Sequence, residues 1–167
     1  MRIIGIDPGT ALMGFGVIEC HKTTLTAISY GVIRTYPEQT TAQRLLDIHR
    51  ELEVLIKKYS PDTMAVEQLF FNRNTTTAMT VGQARGVALL AGAEYGLSVH
   101  EYTPLQVKQA VTGVGRADKH QVGYMVRLLL GLDEIPRPDD VSDALAVAIC
   151  HAHMGNTAQV FNQGAMG

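Results

Sequence analysis

A chain of 167 residues is about the length of one domain and long enough to bury a sizeable core. With 46% hydrophobic and 18% charged residues it is not disordered, and its longest dense uncharged apolar stretch, the eight residues from Gly86 to Ala93 between Arg85 and Glu94, is too short to cross a bilayer. A net charge of −2 and a pI near 6.3 exclude a uniformly basic nucleic-acid binder.

The first predicted element is the strand Arg2-Ile3-Ile4-Gly5-Ile6-Asp7, whose β-branched residues suit a strand buried on both faces. Pro8-Gly9 turns the chain, so Asp7 sits where a core strand surfaces. An Asp before a turn is ordinary by itself. Leu12 to Cys20 and Leu25 to Arg34 read as two more strands, joined by short links into an antiparallel meander, with Gly14 and Gly16 allowing close packing. Thr40 or Thr41 caps a helix running to about Tyr59, with Leu45, Ile48, Leu52, Leu55 and Tyr59 on one stripe. Thr63 to Glu67 is a fourth strand, and it too ends on an acid.

A second helix is expected from about Asn74 to Tyr95, stopped by Gly96. It is apolar almost all round, with Ala78, Gly82 and Gly86 recurring every four residues. Such a helix is covered on more than one side, by its own domain or by a second copy of the chain. Leu97 to Tyr102 is a fifth strand, and strand–helix alternation makes the later strands parallel. Thr103-Pro104 opens a third helix broken at Gly113-Val114-Gly115. Asp118 to Leu130 is a fourth, and a last one begins near Asp139. Residues 156–167 read as a fraying, flexible tail beyond a single domain of residues 1–155. The fold class is therefore α/β, a mixed sheet with helices on both faces.

The last helix opens Asp139-Asp140-Val141-Ser142-Asp143. One Asp suffices as a cap, and Asp140 and Asp143, three apart, share a helix face. If the strands ending in Asp7 and Glu67 are adjacent and parallel, their carboxylates meet at one sheet edge, and this helix can cover the spot. Four hard oxygen donors without Cys or His select Mg²⁺ or Mn²⁺ over zinc. A pair of such ions about 3.5–4 Å apart can drive phosphodiester hydrolysis. His151 and His153, two apart on a helix, face different ways and read as structural or surface histidines. Cys20 and Cys150 have no ligand spacing and suit a reducing cytosol, and no leader precedes the first strand, so a cytoplasmic location is expected. Between Arg73 and Arg127 six cations stand against three anions, a net +3 that leaves −5 for the rest, so a phosphate-binding surface would lie in the middle of the chain.

Five motifs, in order and spanning about residues 2–155, resemble the RuvC family of Holliday-junction resolvases: Gly5-Ile6-Asp7-Pro8-Gly9, Val66-Glu67-Gln68 with Phe70, Gly82-Gln83-Ala84-Arg85-Gly86-Val87-Ala88, Val107-Lys108-Gln109, and Asp140-Val141-Ser142-Asp143-Ala144-Leu145-Ala146. The resemblance implies a ribonuclease-H-like fold with a mixed five-stranded sheet. It implies a homodimer that makes paired nicks, in strands of like polarity, in four-way junction DNA during recombination and repair, with one or two Mg²⁺ per subunit. Asp7, Glu67, Asp140 and Asp143 become the catalytic, metal-binding acids. Phe70 matches an aromatic that stacks against an unpaired base, and Lys108 and Lys119 match lysines near the scissile backbone. Arg73, Arg85 and Arg116 are weaker candidates for phosphate contact. A branch-migration helicase is the partner the family implies.

Two other readings compete. Gly5 to Thr10 with Gly14 and Gly16 also resembles the first phosphate loop of actin-like ATPases, but no second loop follows. A non-cleaving junction scaffold would have no use for four gathered carboxylates, which cost stability.

Overall fold

The structure is a computed structural model that describes residues 1–68 and 75–164, with side chains for 1–68 and 77–155. Phe70 and Arg73 lie outside the described residues.

Five strands form one sheet in the order β3-β2-β1-β4-β5: β1 (Arg2–Asp7), β2 (Leu12–His21), β3 (Thr24–Arg34), β4 (Thr63–Glu67) and β5 (Ser98–Tyr102). The first three are antiparallel neighbours, while β4 runs parallel to β1 and β5 parallel to β4. The mixed five-stranded sheet expected from the sequence is present, with β1 at its centre.

Strand alternation sorts the side chains into two cores. Ile4, Ile6, Met64 and Val66 face one side, against Ile48, Leu52 and Ile56 of α1 (Thr41–Tyr59) and Ala84, Ala88 and Ala91 of α2 (Thr75–Glu94). Ile3, Ala65 and Tyr102 face the other, against α3 (Pro104–Thr112), α4 (Lys119–Leu130) and α5 (Asp139–Gly164). Asp7 and Glu67 continue the odd-numbered series, so both point to the α3–α4–α5 side.

The caps follow the sequence. Thr40, Thr103 and Asp118 each close a capping box with Gln43, Gln106 and Gln121. The buried stripe of α1 is centred on Ile48, Leu52 and Ile56, so Ile56 belongs to it although it is not among the stripe residues expected from the sequence. α2 buries Ala84, Ala88 and Ala91, whereas Gly86 has nothing within 4 Å of an added Cβ. The helix backbone of α5 runs to Gly164, past the break expected near Asn156. No proline or paired glycine interrupts Thr157 to Asn162, so nothing local stops it. No helix among the described residues is long and apolar enough to cross a membrane.

α5 lies unusually close to β1 and β2, and glycine is the reason. A Cβ on Gly14 would fall 1.9 Å from the carbonyl oxygen of Asp140, and one on Gly5 2.2 Å from that of Ala144. The backbone of a helix thus rests on the backbone of a sheet, which only residues without a side chain permit. Gly14→Ala forces α5 outward and is expected to cost about 1–3 kcal/mol in a urea melt, the usual scale of overpacking. An unchanged midpoint would contradict this packing.

Candidate active site

The start of α5 brings the acids together. Asp7 is opposite Gly14 in the β1–β2 register, and Asp140 sits directly above Gly14. Ile6 pairs with Val66 across β1 and β4, so Asp7 and Glu67, each one residue further on, end adjacent parallel strands. Asp143 follows one turn into α5. A cavity of about 300 Å³ results, with Asp7, Glu67 and Asp143 contributing carboxylates and Lys108 and Lys119 contributing ammonium groups. Val107 and Val122 form apolar wall. Asp140 does not line this cavity, although its charge still reaches Asp7.

Electrostatics record the crowding. Burial, then repulsion by Glu67, Asp143 and Asp140, pushes the Asp7 carboxyl up to about 8, with Lys119 opposing. Burial and Asp143 push Glu67 up to about 7 against Lys119 and Lys108. Asp143 is also raised by burial, while Lys119 pulls it back. The Lys119 Nζ donates to Asp143 Oδ2 at 3.3 Å, and this pair holds the lysine's proton more firmly than usual.

Each group is positioned by ordinary local structure. Lys119 is the first residue of α4, set by the Asp118 cap, and Lys108 is set on α3 by the Thr103 cap and Pro104. The backbone after Glu67 is tied to β5 by the Gln68 N–H donating to the Tyr102 carbonyl at 2.8 Å.

Among the described residues no group of three or more His, Cys, Asp and Glu side chains is already arranged to hold a metal ion. In its place the Lys119 ammonium supplies counter-charge. The donor chemistry nevertheless fits a hard divalent cation. The side chains lining the cavity that could ligate a metal are carboxylates, with neither thiolate nor imidazole among them, and the raised proton affinities of Asp7 and Glu67 reflect burial and mutual repulsion.

The remaining predicted residues divide. Arg85 forms an ion pair with Glu101 on β5 rather than facing the cavity. Arg116 is exposed in the link before α4. His151 is buried, its Nδ1 2.7 Å from the Tyr102 hydroxyl and its ring 4.4 Å from that of His100. Burial and His100 lower it to about 4, and His153 Nδ1 stands 3.0 Å from the Ala110 carbonyl, so both histidines are engaged within the fold. Cys20 and Cys150 are free and buried. The sequence reading did not single out Val107 and Val122 as cavity wall, or Tyr102 as the anchor beside Glu67; hydrophobic periodicity marks such residues only as core.

Comparison with known proteins adds three findings. The family described as crossover junction endodeoxyribonuclease RuvC matches residues 3–151. Proteins of that description from Heliobacterium modesticaldum and Desulfitobacterium hafniense are 63% and 61% identical, covering 92% and 93% of this chain and 94% of each relative. Thermus thermophilus RuvC, solved in complex with a Holliday junction substrate, superposes with a TM-score of 0.90 at 38% identity over 95% of this chain and 96% of that one. The yeast mitochondrial Holliday junction resolvase Ydc2, at 13% identity and a TM-score of 0.69, shares the fold.

The raised acids carry a linkage consequence. A carboxyl whose folded pKa exceeds its unfolded value adds stability below the unfolded pKa and loses it as pH rises through the folded one. Without divalent ions the melting temperature is therefore expected to fall between about pH 4 and pH 8. Asp7→Asn should flatten that fall and raise the metal-free melting temperature at pH 8 by about 2–8 °C. A variant that melts lower than wild type there, with the same pH slope, would contradict the crowding described.

Proposed function

This chain belongs to the RuvC family of crossover junction endodeoxyribonucleases, and from that membership together with its acid cavity we propose that it resolves four-way DNA junctions by hydrolysing a phosphodiester in each of two strands of like polarity. The observation that carries the reading is the meeting of Asp7, Glu67 and Asp143 beside Lys108 and Lys119, with Asp140 behind them, at one end of the parallel strands.

Asp7, Glu67, Asp140 and Asp143 are the residues that would hold Mg²⁺, with Mn²⁺ as substitute, as one or two ions. When bound, such ions lower the pKa of a water and stabilise the leaving oxygen of the phosphodiester. The protein's own groups do the rest. Lys108 and Lys119 face the cavity and offset the charge of the incoming phosphate. Lys119 also tethers Asp143, and its turning to the DNA phosphate would leave that carboxylate available as one of the residues that would hold the ion. Val107 and Val122 restrict water on one side. Phe70 and Arg73 are assigned a stacking and a phosphate-contacting role by the resemblance alone. Arg85, being paired with Glu101, is the weakest of the proposed DNA contacts, and Arg116 is exposed.

A dimer is supported by α2. Met79 and Leu90, 69% and 53% exposed, share one helix face with Gly86, where open space surrounds the backbone. Two copies packed there would bury both side chains and present two acid cavities to one junction. The branch-migration helicase partner and a cytoplasmic place of action rest on the family resemblance.

The actin-like ATPase reading loses its support. One sheet of five strands accounts for the chain's strands among the described residues, and the carboxylates cluster where a phosphate loop would need open backbone N–H groups.

Asp7→Asn is expected to keep junction binding in a gel-shift assay while cutting falls by at least about 10³-fold in Mg²⁺, the scale of losing one preorganised charged group at a reacting centre. Parental cutting by that variant would remove Asp7 from the mechanism. In sedimentation at micromolar concentration, Leu90→Glu should shift the protein from dimer to monomer; a dimer of undiminished affinity would place the interface elsewhere.

A further inference from the structure

Three cavities adjoin across the start of α4. The acid cavity is the first. A second, of about 270 Å³, shares Lys119 and Asp143 with it and adds His120, Arg137 and Asp139. A third, of about 450 Å³, shares His120 with the second and is walled by Val114, Tyr124 and Met125. From one end to the other the lining changes from carboxylates and ammonium groups, through a guanidinium and an imidazole, to an apolar and aromatic cleft.

The middle cavity is built to keep its cation in place. Arg137 lies between Pro136 and Pro138. The Pro136 carbonyl accepts a hydrogen bond from the buried Ser142 hydroxyl at 2.8 Å, and the Pro138 carbonyl accepts from the Val141 N–H at 3.0 Å. The loop is thus pinned to α5 on both sides of an exposed Arg137 side chain that has no ion-pair partner among the described residues. Of the two carboxylates facing this cavity, Asp143 is already paired with Lys119, which leaves Asp139 alone against Arg137 and His120.

The outer cleft presents an aromatic plane. His120 and Tyr124 are four residues apart on α4 and therefore share a face. Tyr124 is 44% exposed, and the Arg127 guanidinium lies 5.3 Å from its ring centroid. A phosphate followed by a flat, largely apolar ring is the repeating unit of a nucleic-acid strand. The order of cation and aromatic cleft along these cavities matches that unit, and the track is continuous with the proposed cutting site.

We propose that the strand being cut continues from the acid cavity along the start of α4, with Arg137 holding a phosphate adjacent to the scissile one and Tyr124 packing against a base. Arg137 is a positioning residue in this arrangement, since it fixes the strand rather than touching the reacting bond. The inference rests on the nuclease reading above.

The test is single-turnover cutting of a four-way junction in Mg²⁺ by the full chain, with a neutral methylphosphonate placed in turn at each phosphate flanking the scissile one. Wild type cutting the unmodified junction checks the nuclease reading separately; its failure there would overturn that reading. One neutral linkage is expected to slow wild type about tenfold, and Arg137→Ala should slow cutting of the unmodified junction by a similar factor, as for a lost phosphate contact. The two losses should not multiply when combined, and Arg137→Lys should recover most of the rate. Tyr124→Ala should slow cutting about tenfold, as for a lost stacking partner, with Tyr124→Phe recovering most of it. If every neutral linkage slows Arg137→Ala as much as it slows wild type, or if Tyr124→Ala cuts at the parental rate, the track lies elsewhere.

Discussion

Backbone-to-backbone contact between α5 and the β1–β2 pair is the constraint on which the rest of the structure depends. Where Gly14 and Gly5 meet the carbonyls of Asp140 and Ala144 there is no room for a side chain. The first turn of α5 is thereby lowered onto the end of β1. Two acids of that turn arrive beside Asp7, and Glu67 is already there because β4 runs parallel to β1. No attractive interaction among the carboxylates gathers them. Packing elsewhere does so against their repulsion.

That opposition has a definite location. Ile3, Ala65, Leu145 and Ile149 are fully buried around the contact and supply the burial that holds α5 down. The charged rim then bears the electrostatic cost, visible as carboxyls pushed up to about 7 and 8. Lys119 relieves part of it through Asp143, and a divalent ion would relieve more. A cation held there would offset repulsion that the packing of the fold imposes on the acids. The same cavity therefore explains both why the acids are tolerated and why they suit phosphodiester chemistry.

The surrounding surface is less uniform than its composition suggests. Of the cations in the basic middle of the chain, Arg85 is committed to Glu101 and Arg127 lies over Tyr124 with a hydrogen bond to the Asp133 carbonyl. Among the described residues, Lys108 and Lys119 are the cations that face the acid cavity. Local net charge could not distinguish a cation left exposed from one consumed within the fold.

Much was legible along the chain because it depends on near neighbours. The β-branched run ending at Asp7, the caps at Thr40 and Thr103, and the strand–helix alternation after β3 are all local signals, and each element appears where they place it. Motif order was enough to indicate the family. Other features depend on partners distant in sequence. Only the tertiary structure made β1 the central strand, set Asp143 rather than Asp140 on the cavity wall, and paired Lys119 with it. It also brought Arg137 and His120 from separate segments into one cavity next to the acids. The physical reason is that capping and periodicity act over a few residues. The close approach of α5 to β2 joins positions well over a hundred residues apart, and no local preference records which glycine a helix will rest upon.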